Sequence, residues 1–187
     1  MPELISEVKV ELMELTYTPN GGAATPLGVT KKGSKIVLKA SSTKLTVMEF
    51  GDTPVNLVGK GWQGDVQLML AQSSLDKLAI ALGSTKTTVA GPPAKYSVDI
   101  DPRAAREFPF GKLVLHPSTL GASDVSRDWT IWRAQIEPDL SGDYVADDAL
   151  VWPLKFCMTL FQNTTTGNVK LATYGDTTTA VDFDANL

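Results

Sequence analysis

The chain has 187 residues, of which 43% are hydrophobic and 20% charged, and its formal net charge is −4. This length suits one domain with a sizeable core, and the composition excludes a wholly disordered chain. No apolar stretch approaches the ~20 residues of a membrane-spanning helix, and the acidic balance argues against tight binding to nucleic acid, which requires clustered lysine and arginine.

The N-terminal region lacks the basic start and the apolar run of a secretory signal, so we expect synthesis in the cytoplasm. From Glu7 to Leu12 apolar and polar residues alternate, which predicts a half-buried strand. The phase then slips, so that Met13, Leu15 and Tyr17 form the apolar set, as a β-bulge would produce. The first strand is therefore predicted to bend near residue 12.

The segment from Thr18 to Gly33 is rich in glycine, proline and threonine, and it predicts one long loop. Loops of this length in compact domains are usually functional or disordered. Leu27 and Val29 lie within the segment and have no obvious local core. This loop therefore calls for an explanation that a self-contained monomer does not supply.

Four strands are predicted next, at residues 34–40, 43–50, 55–58 and 66–71. Ser41-Ser42 is interpreted as a tight connection that makes the first two strands a hairpin. The glycines of Gly59-Lys60-Gly61 are interpreted as a turn between the last two strands.

One helix is predicted to follow. Ser73 can cap it, apolar residues from Leu75 to Leu82 recur at helical spacing, and Gly83 ends it. At roughly ten residues the helix would be marginal alone, so its apolar stripe must pack on a sheet. A shorter helix is predicted to begin at Asp101, with Pro102 in its first position.

Strand patterns return in the last third of the chain, at residues 112–116, 128–136, 152–162 and 168–174. The alternation in 152–162 places five apolar residues on one core-facing side: Trp152, Leu154, Phe156, Met158 and Leu160. The C-terminal arm, residues 177–187, is expected either to fray or to dock on a partner. The chain is therefore predicted to be one mainly β domain, an antiparallel β-sandwich or half-open barrel with one flanking helix.

Few residues suggest catalysis or ligand binding. His116 is the only histidine and Cys157 the only cysteine, so neither a disulfide within the chain nor a Cys/His zinc site can form. Acid–base catalysis by His116 would need a positioned nucleophile, and the sequence shows none. Cys157 lies in a strand with strong apolar alternation, and a reactive thiol would need a base or a positive charge nearby. We expect both to be structural, and we expect no enzymatic activity and no cofactor.

Two acidic groups, Asp99 with Asp101 and Asp143 with Asp147 and Asp148, do not reproduce the spacing of a calcium-binding loop. They are interpreted as solvated charges, and no metal site is expected.

Trp129 and Trp132 lie three residues apart on a predicted strand and lack a neighbouring basic groove. They are therefore interpreted as core or interface residues rather than as a platform for stacking bases.

Several segments together suggest a known family: residues 50–55, 113–117, 127–131, 152–156 and 171–176. Leu113-Val114-Leu115-His116-Pro117 and Arg127-Asp128-Trp129-Thr130-Ile131 resemble the approach to a central strand of phage major tail tube proteins. Leu171-Ala172-Thr173-Tyr174-Gly175-Asp176 is similar to the closing hairpin of that family.

The resemblance implies a structural protein of the virion tail that is assembled in the host cytoplasm. Its copies would form hexameric rings that stack into a tube, through which DNA is ejected without specific binding. The partners implied are other copies of the chain, the tape-measure, tail terminator and baseplate proteins, and in contractile tails a sheath; no membrane insertion is implied.

On this interpretation the loop would become ordered on the adjoining ring, through Asn20, Gly21, Gly22, Leu27 and Val29. Phe183 and Leu187 of the C-terminal arm would dock between subunits. Two alternatives remain open: a β-sandwich binding module, such as a virion decoration or carbohydrate-binding domain, and an enzyme whose polar cluster is not visible in the sequence.

Overall fold

The computed structural model describes residues 12–31, 34–46, 53–70, 74–100, 108–139, 153–163 and 167–177. Their one helix is α1 (Leu75–Ala81). Their strands are β1 (Met13–Pro19), β2 (Thr25–Val29), β3 (Lys35–Thr46), β4 (Pro54–Met69), β5 (Lys86–Val89), β6 (Lys95–Val98), β7 (Phe110–Pro117), β8 (Trp129–Ile136), β9 (Pro153–Met158), β10 (Phe161–Gln162), β11 (Val169–Lys170) and β12 (Ala172–Tyr174).

Eight of these strands form one antiparallel sheet, in the order β2-β1-β7-β8-β9-β4-β3, with β12 added beside β8. One edge of β8 is shared, because Trp129–Ile131 pairs with β12 and Ala134–Ile136 pairs with β9. The hairpins β5–β6 and β10–β11 form two small sheets of their own. The mainly β fold with one helix is confirmed, and the sheet does not close into a barrel.

The main sheet curves around its core. The rings of Tyr17 on β1 and Phe156 on β9 lie 5.6 Å apart, although three strand spacings, about 14 Å in a flat sheet, separate their strands. Thr30, directly after β2, forms an antiparallel β-bridge with Leu70, directly after β4. The concave side holds the buried cluster of Leu15, Tyr17, Leu27, Val66, Leu68, Leu70, Ala81, Leu113, Leu115, Ile131, Ala134, Ile136, Leu154, Phe156 and Met158.

The helix covers part of this core. Its N-cap is Ser74, one residue after the predicted Ser73, and the Ser74 Oγ accepts a hydrogen bond of 3.3 Å from the Lys77 N–H. Gly83 follows its end with a φ of 61°, which glycine adopts readily. Ala81 belongs to the core cluster, and α1 also contacts β5, β6 and β9. The helix and the β5–β6 hairpin thus form a second layer. This agrees with the prediction that so short a helix must pack its apolar stripe on a sheet.

The prediction of one long loop over residues 18–33 was wrong. β1 continues to Pro19, a turn follows, and β2 pairs back along β1. Leu27 is the extra residue of a bulge between Pro26 and Gly28, and its side chain is fully buried in the core. The glycine and proline residues that suggested a loop therefore serve a turn and a bulge within a hairpin.

The two turns predicted between residues 34 and 71 were also wrong. β3 and β4 are single long strands, paired from Lys35 with Gln67 to Thr46 with Pro54. Ser41 pairs with Gly61 and Ser42 with Gly59, so Lys60 is the extra residue of a bulge. Gly61 has a φ of 140°, which an L-residue rarely adopts, so the glycines serve this bulge rather than a turn.

The later strand predictions are confirmed, except that two of the predicted strands are divided. The predicted strand 152–162 divides into β9 and β10 at Thr159 and Leu160. The predicted strand 168–174 divides into β11, which pairs with β10, and β12, which pairs with β8. Leu160 is exposed rather than in the core. The β5–β6 hairpin was not predicted. The predicted strand at 7–12, the helix after Asp101, Trp152 and the C-terminal arm lie wholly or mainly outside the described residues.

Candidate assembly surfaces

His116 forms a buried pair with Asp128. Its Nδ1 lies 2.7 Å from Oδ1 of Asp128, and both side chains are mostly buried. The other ring nitrogen, Nε2, is buried and has no hydrogen-bond partner among the described residues. Asp128 also accepts a bond from the Gly175 N–H through its main-chain oxygen. The pair therefore ties the end of β7 to the chain entering β8 and to the end of β12, a structural role.

Cys157 is half-buried on β9, opposite Asp65 of β4. Burial, followed by the charges of Asp65 and Glu137, raises the pKa of the thiol above its ordinary value. A raised pKa lowers the thiolate fraction, and the thiolate is the nucleophile. This environment therefore disfavours reactive chemistry at Cys157.

Within the described part of the chain, no group of three or more histidine, cysteine or acidic residues is arranged to hold a metal ion. Asp99 is exposed, whereas Asp101, Asp143, Asp147 and Asp148 lie outside the described residues. Over the same ranges, no helix combines the length and apolar character that a membrane crossing needs.

The two tryptophans of β8 are packed against other aromatic rings. Trp132 is buried, its indole N–H donates a 2.8 Å hydrogen bond to the Thr173 hydroxyl, and its ring stacks on Phe161. Trp129 contacts the Tyr174 ring at 5.0 Å and packs against the core. Trp132 is therefore a buried residue, and Trp129 is half-buried beside the core.

A long exposed ribbon is the surface on which we focus. The body of the sheet pairs β4 with β9 only over Gly64–Met69, so the hairpin of β3 and β4 projects beyond it. We call residues 40–46 and 54–62 the extension. Every residue of the extension is exposed. Its large apolar side chains are Leu45, Val55, Leu57, Val58 and Trp62.

Among the described residues, the extension is also unpaired along both edges. β3 is the last strand of the main sheet, and the part of β4 before Gly64 pairs with β3 alone. Strand edges with free N–H and C=O groups are templates for pairing with another chain. The extension thus offers hydrogen-bonding edges as well as apolar faces.

Each face of the extension carries two large apolar side chains among small and polar ones. Trp62 continues the line of Ile36 and Val66, which face the core, and the bulge at Lys60 returns Leu57 to the same face as Trp62. We call this the core-side face. On it Leu57 is 61% exposed and Trp62 66%. The same face also carries Ser42 and Lys44, whereas Leu45 and Val58 lie on the opposite face with Ser41, Thr43 and Asn56.

The layer of α1 and the β5–β6 hairpin also exposes large apolar side chains: Leu75, Val89, Tyr96 and Ile100. They do not form one surface, because Tyr96 pairs with Thr88 and therefore faces away from Val89. Lys86 holds this layer together, because its ammonium pairs with Asp76 of α1 at 2.6 Å and lies 4.9 Å from the Tyr96 ring centre.

The residues predicted to contact an adjoining ring are not brought together as one surface. Asn20, Gly21 and Gly22 form an exposed turn between β1 and β2. Leu27 is fully buried in the core cluster, so the expectation that it lacks a local core was wrong, whereas Val29 is half-buried. Phe183 and Leu187 lie outside the described residues.

The extension was missed from the sequence, although a signal was present. Residues 54–63 include four large apolar side chains without regular alternation, and the pattern was divided at the glycines. A run that is apolar on both faces is typical of a strand covered on both sides. That signal could have suggested a strand covered by another chain.

Comparisons with known proteins give little further information. No family model matches the sequence, and no curated protein matches it. Among solved structures, a chain of the cryo-EM structure of the anti-feeding prophage (AFP) baseplate, 6-fold symmetrised, aligns with a TM-score of 0.48 at 10% sequence identity. The alignment covers 81% of this chain and 91% of that chain. We base no functional assignment on this similarity.

Proposed function

We propose that this chain is a structural virion protein whose copies assemble into stacked hexameric rings, forming the tube of a phage tail through which DNA is ejected. The observation that carries the proposal is the extension, a two-stranded ribbon exposed on both faces and along both edges. We further propose that the role is non-enzymatic and depends on assembly alone.

A physical argument supports self-assembly. A two-stranded hairpin without cover is only marginally stable in water, and this one also exposes large apolar side chains such as Leu57 and Trp62. Association removes that surface from water at a gain of about 25 cal/mol per Å² before the costs of ordering. The extension is therefore expected to be covered when the protein works.

Other copies of the same chain are the partners we propose for this surface. The free edge of β3 and the free edge of residues 54–63 on β4 belong to one ribbon and have similar lengths. Pairing one copy's β3 edge with the next copy's β4 edge would extend the sheet from subunit to subunit. Such a contact is heterologous, and rotational symmetry can close it into a ring.

The remaining partners come from the sequence resemblance to tail tube proteins. They are the tape-measure, tail terminator and baseplate proteins, and a sheath if the tail is contractile. We propose the exposed turn Asn20–Gly22 and the C-terminal residues Phe183 and Leu187 as further contacts between subunits. Location in the virion tail, after assembly in the host cytoplasm, belongs to the same proposal.

Negative-stain electron microscopy of the concentrated protein tests this function. We expect rings or tubes from the natural chain and dispersed particles from a variant that carries Leu57→Asp with Trp62→Asp. Leu160→Asp is the matched control, because Leu160 is as exposed as Leu57, at 61%, but lies outside the extension. Dispersed particles from the natural chain at all concentrations would contradict the proposal and favour a monomeric binding module.

A further inference from the structure

We infer that the segment before β1 pairs with the free edge of β3 in the same copy. This N-terminal segment, residues 1–11, lies outside the described part of the chain. The receiving surface is the edge of residues 34–39 that faces away from β4. It belongs to the body of the sheet and not to the extension.

The first observation is that β3 has an open edge along the body as well as along the extension. β3 is the last strand of the main sheet, and among the described residues it pairs with β4 alone. Leu38 lies on the same side of β3 as Ile36, which packs against the core, yet Leu38 is 37% exposed. The body therefore lacks cover here both at its backbone and on its core side.

The second observation is the path of the chain from β2 into β3. The Thr30 N–H, directly after β2, donates a hydrogen bond to the Met13 carbonyl of β1. On its other side Thr30 forms the bridge with Leu70, and Lys35 then pairs with Gln67 of β4. The side of this path that faces β1 at Thr30 is therefore the side that is open along β3.

This path decides where a continuation of β1 would run. Residues before Met13 that keep the direction of β1 would pass along the open edge of β3, antiparallel to it, since β1 is antiparallel to β2. The alternation from Glu7 to Leu12 is typical of a half-buried strand. The N-terminal segment thus has the pattern of a strand, and β3 offers a free edge in its path.

The sequence also predicts a register for this pairing. The change of phase near residue 12 predicts a bulge, with one extra residue in the strand that enters β1. Counting back from the bond between Thr30 and Met13 with that one residue added places Glu7 opposite Lys35. The next pairs alternate between the two faces: Ser6 with Ile36, Ile5 with Val37, Leu4 with Leu38 and Glu3 with Lys39.

On the face away from the core, this register brings opposite charges together. Glu7 lies opposite Lys35. Four residues along the strand, Glu3 lies opposite Lys39. Both lysines are exposed, and neither has an ion pair among the described residues. Opposite charges directly across a strand pair stabilise it, so the two carboxylates complement the edge that would receive them.

On the core side, the same register supplies apolar cover. Leu4 lies opposite Leu38 and would reduce its exposure. Without the extra residue the alternation would be reversed, and Glu3 and Glu7 would face the core. The predicted bulge therefore keeps the carboxylates outside and places leucine against leucine.

The segment of the same copy is the occupant because it enters β1 beside this edge. Leu12 is held next to β7, where its carbonyl accepts a hydrogen bond from the Ser118 N–H. The segment of another copy would compete from a much lower effective concentration. Cover over residues 34–39 leaves residues 40–46 as the open part of β3. That last consequence rests on the proposed self-assembly, whereas the pairing itself does not.

Crosslinking within one chain tests the inference. In a Cys157→Ser background, Ile5→Cys is combined with Val37→Cys and treated with a short cysteine-reactive crosslinker in dilute solution. We expect a bridge within one chain, identified by mass spectrometry of a mixture of isotope-labelled and unlabelled protein. Ile5→Cys with Leu45→Cys is the matched control, since Leu45 lies on the same face of β3 but about 26 Å further along it; no bridge is expected there.

Reversal of the charges tests the register. Glu3→Lys with Glu7→Lys should quicken amide exchange on the open edge of residues 34–39 by about tenfold in dilute subunits. Adding Lys35→Glu with Lys39→Glu should restore the slow exchange. Adding Lys44→Glu with Lys60→Glu, which lie in the extension, should not restore it. Near-ultraviolet circular dichroism checks that each variant keeps the natural fold.

The outcomes separate the inference from the proposed function. A bridge between two chains would assign the edge to the segment of another copy and overturn the inference. The absence of any bridge, or exchange that the reversed charges leave unchanged, would also overturn it. Failure of the natural chain to form rings or tubes would instead contradict the proposed function and leave a bridge within one chain in place.

Discussion

At the residue scale, the closest packing in the sheet occurs where β7 passes β1. Gly111 of β7 is buried and pairs with Pro19 of β1 and with Ala134 of β8. A Cβ atom at Gly111 would meet the main-chain oxygen of Thr18 and the Cα of Pro19. Because these are backbone atoms, no side-chain rotation can relieve the contact. Glycine at this position therefore allows three strands to pair.

We predict that Gly111→Ala lowers the free energy of unfolding by about 1–3 kcal/mol, the usual cost of overpacking. The cause is displacement of β1 from β7. Urea denaturation measures the change. Gly121→Ala is the control, since Gly121 is exposed and a Cβ there meets nothing within 4 Å; its effect should stay within about 0.5 kcal/mol. Equal effects of the two substitutions would contradict the prediction.

The hydroxyl of Tyr17 supplies a second prediction at this scale. It is buried with no hydrogen-bond partner among the described residues, and burial raises the pKa of Tyr17 to about 12. In the unfolded chain the group ionises near its ordinary value of 10. Its contribution to folding is thus complete below pH 10 and is lost as the pH rises towards 12, at about 1.4 kcal/mol per unit.

The substitution Tyr17→Phe removes both this ionisation and the unpaired hydroxyl. We expect the phenylalanine variant to be at least as stable as the natural chain at pH 7, because no hydrogen bond is lost. Between pH 10 and pH 12 its advantage in unfolding free energy should grow. Denaturant titrations at a series of pH values measure the difference, and parallel stability curves would show that Tyr17 does not titrate as described.

At the element scale, the bulge in the β3–β4 hairpin decides which side chains the extension presents on each face. If residues 57–62 formed a regular strand without the bulge, the alternation from Trp62 would place Val58 on the core-side face and Leu57 on the opposite face. The bulge itself depends on Gly61, whose φ of 140° is open to glycine and strained for other residues. The faces on which Leu57 and Val58 lie thus depend on this bulge.

We predict that Gly61→Ala weakens pairing in the extension, at a cost of about 1–3 kcal/mol for a residue held in a sparsely populated conformation. Amide hydrogen exchange should quicken on both sides of the bulge, while exchange in the body of the sheet stays unchanged. Gly59→Ala is a matched control, since neither position has an atom within 4 Å of the added Cβ and only Gly61 has a positive φ. Equal exchange in the two variants would contradict the assigned role of Gly61.

At the scale of the whole molecule, the proposed assembly predicts a change in susceptibility to protease. Lys44 and Lys60 are exposed in the extension, so trypsin should cut after them in dilute subunits. In rings or tubes the same sites should be protected. Lys155 in β9, which is paired on both sides, should resist in both states. Mass spectrometry of the peptides measures this, and equal cleavage in both states would count against burial of the extension.

The body of the fold was largely predictable because alternation reports on a strand with one face against the core. β7, β8 and β9 illustrate this, since their buried residues follow the apolar pattern closely. Glycine and proline were less informative. They mark bulges as well as turns, and sequence spacing alone does not distinguish Gly61 in a bulge from a glycine in a turn.

The candidate surfaces were harder to predict than the body. Leu27 lies among turn-forming residues, and only the path of the bulge shows that it enters the core. The apolar residues of the extension have no alternation to detect, because none of the described residues covers them. The exposed positions of Leu57 and Trp62 therefore could not be predicted from a single sequence, which contains no information about a partner.

The bulge at Gly61 has one more consequence if the extension joins neighbouring copies. The number of copies in a ring equals a full turn divided by the rotation between one copy and the next. That rotation depends on the angle at which the extension leaves the body of the sheet, and a bulge bends and twists the strand that contains it. The diameter of the ring, and with it the width of the channel, would then depend in part on the backbone conformation at Gly61.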